Sequence, residues 1–449
     1  MKRGAKLSDT AQERYTPGML AFPGILLLWG LMWAWWSLIV PWMGDDLNYS
    51  FHYHDHIHQP APWLHFAWGI WNGANARLGD MLNPVPLYIL PRPLTALLVG
   101  AGAALSLWCV VRLAMRRGAG RVWQWIVLLA MLLIMPWRDI NFIVCHTGYV
   151  WGTAASGLIL IALLRHRLRS LWWLLLLPAV AMGTAMHEAL GFPLGFGVAV
   201  WLLVNHKWRG FTMVQKWWTV ALLAGAVFCI TSPASYSRVG EGNPPDLPLV
   251  PLILTTLPLV LLLLVRIVWL AWKGGLGALI HSQWLIFALA AFGSAGFTLL
   301  GGIEGRGGWY AQSFALIALG YDLSGRWPLV AMALSRGARR LVRGLQWSCL
   351  TAALVFIALM TERETRIARL QQEVAVAYEA DPADPALFDR YLTLPGGRWS
   401  YEVMPLWIGR PAASLDGTYY FHPRNTDPWP RLGRPAIWLV PHPVTPRLP

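Results

Sequence analysis

Apolar runs recur along almost the whole chain, and short polar links separate them. They lie near Leu20–Trp42, Leu94–Leu113, Val122–Pro136, Tyr149–Leu164, Leu171–Met186, Leu190–Val204, Trp217–Thr231, Leu247–Trp269, Ser282–Leu300, Tyr310–Leu323 and Leu345–Met360. A bilayer-crossing helix needs roughly 20 apolar residues. Several runs are shorter, so link residues must extend them. The pattern predicts an all-α polytopic membrane protein with about eleven spans. The first run lacks a small-residue cleavage site and reads as an uncleaved anchor.

Composition agrees. Hydrophobic residues make up 56% of the 449, and charged residues 13%. An ordinary soluble domain carries about 25% charged residues. The net charge of +14 changes meaning in this setting. In a soluble protein it would point to nucleic acid; here it orients helices, and no nucleic-acid motif is present. With the N-terminus inside, alternate links carry Arg112, Arg116, Arg117 and Arg121; Arg165, Arg167 and Arg169; Lys207 and Arg209; Arg266 and Lys273; and Arg326, Arg336, Arg339, Arg340 and Arg343. The positive-inside rule places these in the cytoplasm. The remaining links, and the tail after Met360, then fall outside. Cys109, Cys229 and Cys349 lie in apolar runs, and the four cysteines lack metal-ligand spacing.

The chain divides into a transmembrane domain, 1–360, and an extracytoplasmic region, 361–449. The region opens with a helical pattern, Glu362–Ala380, and continues with too many aromatic residues for full disorder. The outer loop 43–92 is the longest link of the transmembrane domain. In it, Trp63, Ala67, Ile70, Trp71 and Ala74 have helical spacing, which predicts a short amphipathic helix on the outer leaflet.

Candidate chemistry gathers on the outer links. Asp45 and Asp46 sit where the first span ends. Adjacent carboxylates there can cap a helix, hold a cation or take a proton. His52, His54, His56 and His58 alternate with other residues. On a strand they would share a face suited to zinc or copper; otherwise they form a surface ridge. Glu188, beside His187 at a helix mouth, can assist catalysis or simply bond the helix end.

Taken in order, Asp45-Asp46, Asn72 to Arg77, His146 to Trp151, Glu188, Ser232 to Arg238 and Arg306 form a series that resembles bacterial GT-C-type membrane glycosyltransferases. The resemblance is closest to an uncharacterised family of glucosyltransferase-like polytopic proteins, and it spans nearly the whole chain. It departs at "NGANAR", which is wider than a compact "NGR", and at "SPASYSR", which lacks a glycine after Pro233. The resemblance implies transfer of a sugar from a polyprenyl-phosphate donor to an envelope glycan or lipid. The site would be on the outer face of the bacterial inner membrane, with the N-terminus cytoplasmic and the C-terminus periplasmic. It implies Asp45, Asp46 and Glu188 as catalytic groups. Asp45 and Asp46 would hold any divalent cation, magnesium or manganese. Arg138, Arg238 and Arg306 suit the donor phosphate, because a guanidinium fork matches phosphate oxygens. Asn72, Arg77, His146, Tyr149, Trp151 and His187 would line the substrate. Competing readings are a lipid or glycan flippase, an envelope assembly protein, and a histidine-bound metalloenzyme.

Overall fold

The computed structural model describes residues 18–40, 60–116, 119–137, 140, 143–166, 168–235, 249–301, 305–326, 335–380, 419–421 and 439–441. The apolar runs are helical: α1 (Gly18–Ile39), α4 (Arg92–Ala114), α5 (Arg121–Ile134), α6 (Ile143–Arg165), α7 (Leu171–Ala185), α8 (Glu188–Val204), α9 (Met213–Thr231), α11 (Pro258–Trp272), α13 (Trp284–Gly301) and α14 (Trp309–Gly325). Shorter helices are α2 (Pro60–Gly69), α3 (Leu78–Leu82), α10 (Leu249–Thr256) and α12 (Leu276–Ile280). The last helix, α15, runs unbroken from Arg336 to Ala380. Far along the chain, Tyr419–Phe421 and Leu439–Pro441 pair as antiparallel strands.

Six of these helices are long and apolar enough to cross a membrane: Leu20–Ile39, Arg92–Ala114, Ile143–Arg165, Met213–Thr231, Trp284–Gly301 and Arg340–Thr365. A seventh is added if α7 and α8, which meet at a bend of 116°, are taken as one broken span. This is a multi-pass membrane protein. α5 and α11 are apolar but short. α14 is buried on nearly all sides, and Gln312, Ser313, Asp322 and Ser324 are among its buried residues. A helix that faces protein rather than lipid can carry such groups, provided they are hydrogen-bonded. Gln312 Oε1 accepts from the Leu259 amide at 2.8 Å, and the Ser324 hydroxyl donates to the Ala114 carbonyl at 3.1 Å.

α15 runs through residue 360 into the helical stretch expected over Glu362–Ala380, because no glycine or proline follows Gly344 until Pro382. The fall in hydropathy beyond Met360 marks a change of surroundings, and helical hydrogen bonding continues through it.

α14 packs against α4, α11 and α13, α8 against α9 and α13, and α1 against α4 and α15. Small residues allow a close approach of α1 and α4. Gly30 and Ala34 face Gly100 and Ala104, a small-xxx-small pair on each helix. A methyl group at Gly30 would lie 2.9 Å from the Gly100 carbonyl oxygen, and one at Gly100 would meet the Gly30 carbonyl still closer.

The links sort to two ends. At one end, Arg165 donates to the Met115 carbonyl at 2.6 Å, the Arg116 amide donates to Ser324 at 3.1 Å, Thr212 to the Leu168 carbonyl at 2.5 Å, and Gln283 to the Leu164 carbonyl at 3.2 Å. These are the basic links. The other links meet at the opposite end.

Overpacking a tight crossing costs about 1–3 kcal/mol. Gly100→Leu should therefore lower the thermal midpoint of the detergent-solubilised protein clearly, whereas Gly24→Leu, where no atom lies within 4 Å of an added methyl, should leave it nearly unchanged. Equal midpoints for the two variants would remove the small-residue crossing from the account.

Candidate functional site

The chain after α2 does not simply return to the membrane. α2 runs into a π-helical turn, Ile70–Ala74, and two further π-helical turns follow at Val85–Ile89 and His146–Trp151. Such turns widen a helix locally and occur often at functional sites. Here they shape one end of the bundle. Leu64 and Trp68 of α2 are 71% and 63% exposed, which suits the expected helix at the membrane surface.

Arg77 follows the first of these turns and points to α8. Its Nε donates to both oxygens of Glu188 at 2.9 Å, and its Nη2 donates to Oε1 at 2.8 Å. The partners lie 111 residues apart in sequence. Both side chains are mostly buried. Asn75 and Asp80 complete the set. The Asn75 amide nitrogen donates to Asp80 at 2.7 Å, its amide oxygen accepts from the Arg77 backbone at 3.0 Å, and Asp80 lies 4.0 Å from the Arg77 guanidinium. Burial opposes the Arg77 charge, but Glu188, Tyr149 and Asp80 outweigh it, and the guanidinium pKa is raised well above its ordinary value.

The backbone fixes this geometry. The Gly79 amide donates to the Met186 carbonyl at 3.0 Å, and a Cβ at Gly79 would come within 2.9 Å of Gly148. α3 therefore rests directly on the α7–α8 bend and on the π-helical turn of α6. At the bend, His187 caps α8 by accepting from the Ala189 amide at 3.1 Å. Glu188 opens the helix, where a carboxylate favours the positive end of the dipole.

Aromatic rings surround the pair. The ring centroids of Tyr149 and His187 are 4.9 Å apart, those of Tyr149 and Tyr310 5.7 Å, and those of His187 and Tyr310 5.2 Å. The Tyr310 hydroxyl donates to the Gly148 carbonyl at 2.6 Å. Arg306, on the link before α14, donates to the Cys145 sulfur at 3.2 Å, and both Arg77 and Arg306 act electrostatically on Tyr149. The Ser232 hydroxyl donates to the Trp71 carbonyl, which brings in the link after α9.

Five links of the chain thus meet at one end, and they are links that the charge pattern places together. Arg77, Tyr149, His187, Glu188 and Arg306 fall in this cluster. Other candidates are engaged elsewhere. Asn72 bonds back to the Trp68 carbonyl at 2.8 Å, and the Trp151 indole donates to the Leu98 carbonyl at 3.0 Å. His146 is buried against Trp33 and Trp36, with centroids at 4.6 and 5.4 Å, beneath the end of α1. Asp45, Asp46, Arg138, Arg238 and the His52–His58 run lie outside the described residues. Among the described residues, no three His, Cys, Asp or Glu side chains gather as metal ligands. Sequence reasoning missed Asn75, Asp80 and Tyr310. The Asn75-x-Arg77-x-x-Asp80 spacing was the one visible hint for the first two.

Breaking a buried ion pair from one side leaves an uncompensated charge, at a cost of about 3–5 kcal/mol. Arg77→Met and Glu188→Leu should each destabilise the folded protein strongly, and the double variant should be far less damaging than the sum of the two. Thermal unfolding of the four proteins measures this. Additive losses would mean that the two groups do not depend on each other.

Compared with protein-family models, with curated proteins and with solved structures, the chain matches none.

Proposed function

We propose that the protein is a GT-C-type membrane glycosyltransferase that moves a sugar from a polyprenyl-phosphate donor to a glycan or lipid of the bacterial cell envelope. The observation that carries this reading is the convergence of five links on a polar cluster at one end of an apolar bundle. A lipid-linked donor brings its phosphate and sugar to that depth while its tail stays in the bilayer. About eleven spans, a cytoplasmic N-terminus and a periplasmic C-terminus complete the proposal.

In this reading the acceptor hydroxyl oxygen attacks the anomeric carbon. The bond from that carbon to the donor phosphate oxygen breaks, and polyprenyl phosphate leaves with the electron pair. The hydroxyl proton passes to Asp45, while Asp46 orients the group or holds a divalent cation. Both carboxylates stabilise an oxocarbenium-like transition state. Arg306 receives the donor phosphate, with Arg138 and Arg238 as further candidates. Glu188 is held by Arg77 through three hydrogen bonds. An ion-paired carboxylate is a poor proton acceptor, so Glu188 positions Arg77 and the first loop, and the base role falls to the aspartates. Tyr149 and His187 line the acceptor side.

The bend between α7 and α8 favours one alternative, a flippase for a lipid-linked glycan, because transporters build their sites on broken helices. Such folds pair two breaks in two related halves. The described residues hold one bent pair, and the sequence shows no repeat.

Purified protein supplied with a panel of polyprenyl-phosphate sugars and envelope lipid acceptors should form a glycosylated product. General-base help is typically worth about 10²–10⁴-fold. Asp45→Asn should reduce transfer by that order with protein level unchanged. Arg306→Lys keeps the charge but loses the fork, and should lower transfer far more than it lowers protein level. Normal transfer by both variants would refute the assignment, and donor movement across vesicles without any product would favour the flippase.

A further inference from the structure

The opposite end of the bundle carries a second group that the transfer reaction does not use. Asp322 of α14 is 3% exposed, and it is the only carboxylate among the described residues at that end. Arg266 of α11 donates to one of its oxygens through Nε at 2.6 Å, and Arg326 approaches the other through Nε at 3.4 Å. Both guanidiniums also lie against the Trp269 ring, 4.4 and 5.7 Å from its centroid. One turn further on, Lys273 sits over Trp272 at 4.2 Å.

Three features set this group apart from a solvated basic loop. The buried carboxylate and the indole fix the two forks, so little side-chain freedom remains to be lost on binding. Both bonds to Asp322 use Nε, which leaves the Nη donors of each fork for another acceptor. The charge is unbalanced, with three cations against one anion, and Trp269 and Trp272 are exposed beside it. Tryptophan is enriched at headgroup level, and basic residues there attract anionic lipids.

We infer that Arg266, Arg326 and Lys273, set on Trp269 and Trp272, bind the headgroup phosphate of an anionic phospholipid. The lipid would seat where the ends of α11 and α14 meet, beside Trp269. Its phosphate meets the guanidinium forks and its tails run along the exposed leucines of α11. Asp322 is a positioning residue that holds the forks.

The test uses full-length protein in phosphatidylcholine nanodiscs doped with phosphatidylglycerol, with retained phosphatidylglycerol counted by native mass spectrometry. Arg326→Gln leaves Asp322 paired with Arg266, so the fold should survive, and each lost cation should weaken retention about fivefold. Lys273→Gln gives a second, independent variant. Arg209→Gln is the control, an exposed arginine of the same end with no carboxylate holding it. Selective loss in Arg326→Gln and Lys273→Gln supports the site. Unchanged retention in both, or an equal loss in Arg209→Gln, overturns it and leaves only a diffuse surface potential.

Discussion

The Arg77–Glu188 ion pair ties the long link between α1 and α4 to the bend between α7 and α8, and the arrangement of that end depends on it. Neither charge could be buried alone at this depth. Their bidentate contact, with Asn75 and Asp80 bracing the guanidinium, satisfies both. The constraint is mutual. The loop cannot lift from the bundle without stranding Glu188, and the bend cannot straighten without stranding Arg77. Gly79 and Gly148 let the backbones approach closely enough for the pair to form.

The two ends differ in how they balance charge. At the end that holds the pair, Arg77 is matched by Glu188 and Asp80, the rings of Tyr149, His187 and Tyr310 pack beside them, and π-helical turns replace regular helix. At the basic end, cations exceed anions among the described residues, and the links hydrogen-bond to helix ends. The buried polar residues of α14 reach from one end, at Tyr310, to the other, at Asp322.

The sequence carried the coarse plan well. Apolar runs became helices because burial in lipid or protein rewards the same composition, and the links around Arg116, Arg165 and Arg209 lie at one end of the bundle. Three things were not legible. Arg77 and Glu188 are 111 residues apart, so no local pattern joins them. Asn75 and Asp80 matter only because α3 rests on Met186 and Gly148, which is a tertiary fact. The run Tyr310–Leu323 was legible as an apolar helix, but its burial among other helices was not, and that burial is what lets Gln312, Ser313 and Asp322 be bonded by its neighbours. The helical stretch beyond Met360 was legible, because its residues are helix formers even where hydropathy falls.

The proposed transfer requires the paired-charge end to face away from the cytoplasm, the side on which it would meet a lipid-linked donor. Single-cysteine labelling measures this directly, since the native Cys109, Cys145, Cys229 and Cys349 are all buried. His65 on α2 and Arg209 between α8 and α9 are exposed at opposite ends. With a membrane-impermeant maleimide on intact cells or spheroplasts, His65→Cys should label and Arg209→Cys should label only after permeabilisation. The reverse pattern would put the cluster in the cytoplasm and contradict the proposed transfer reaction.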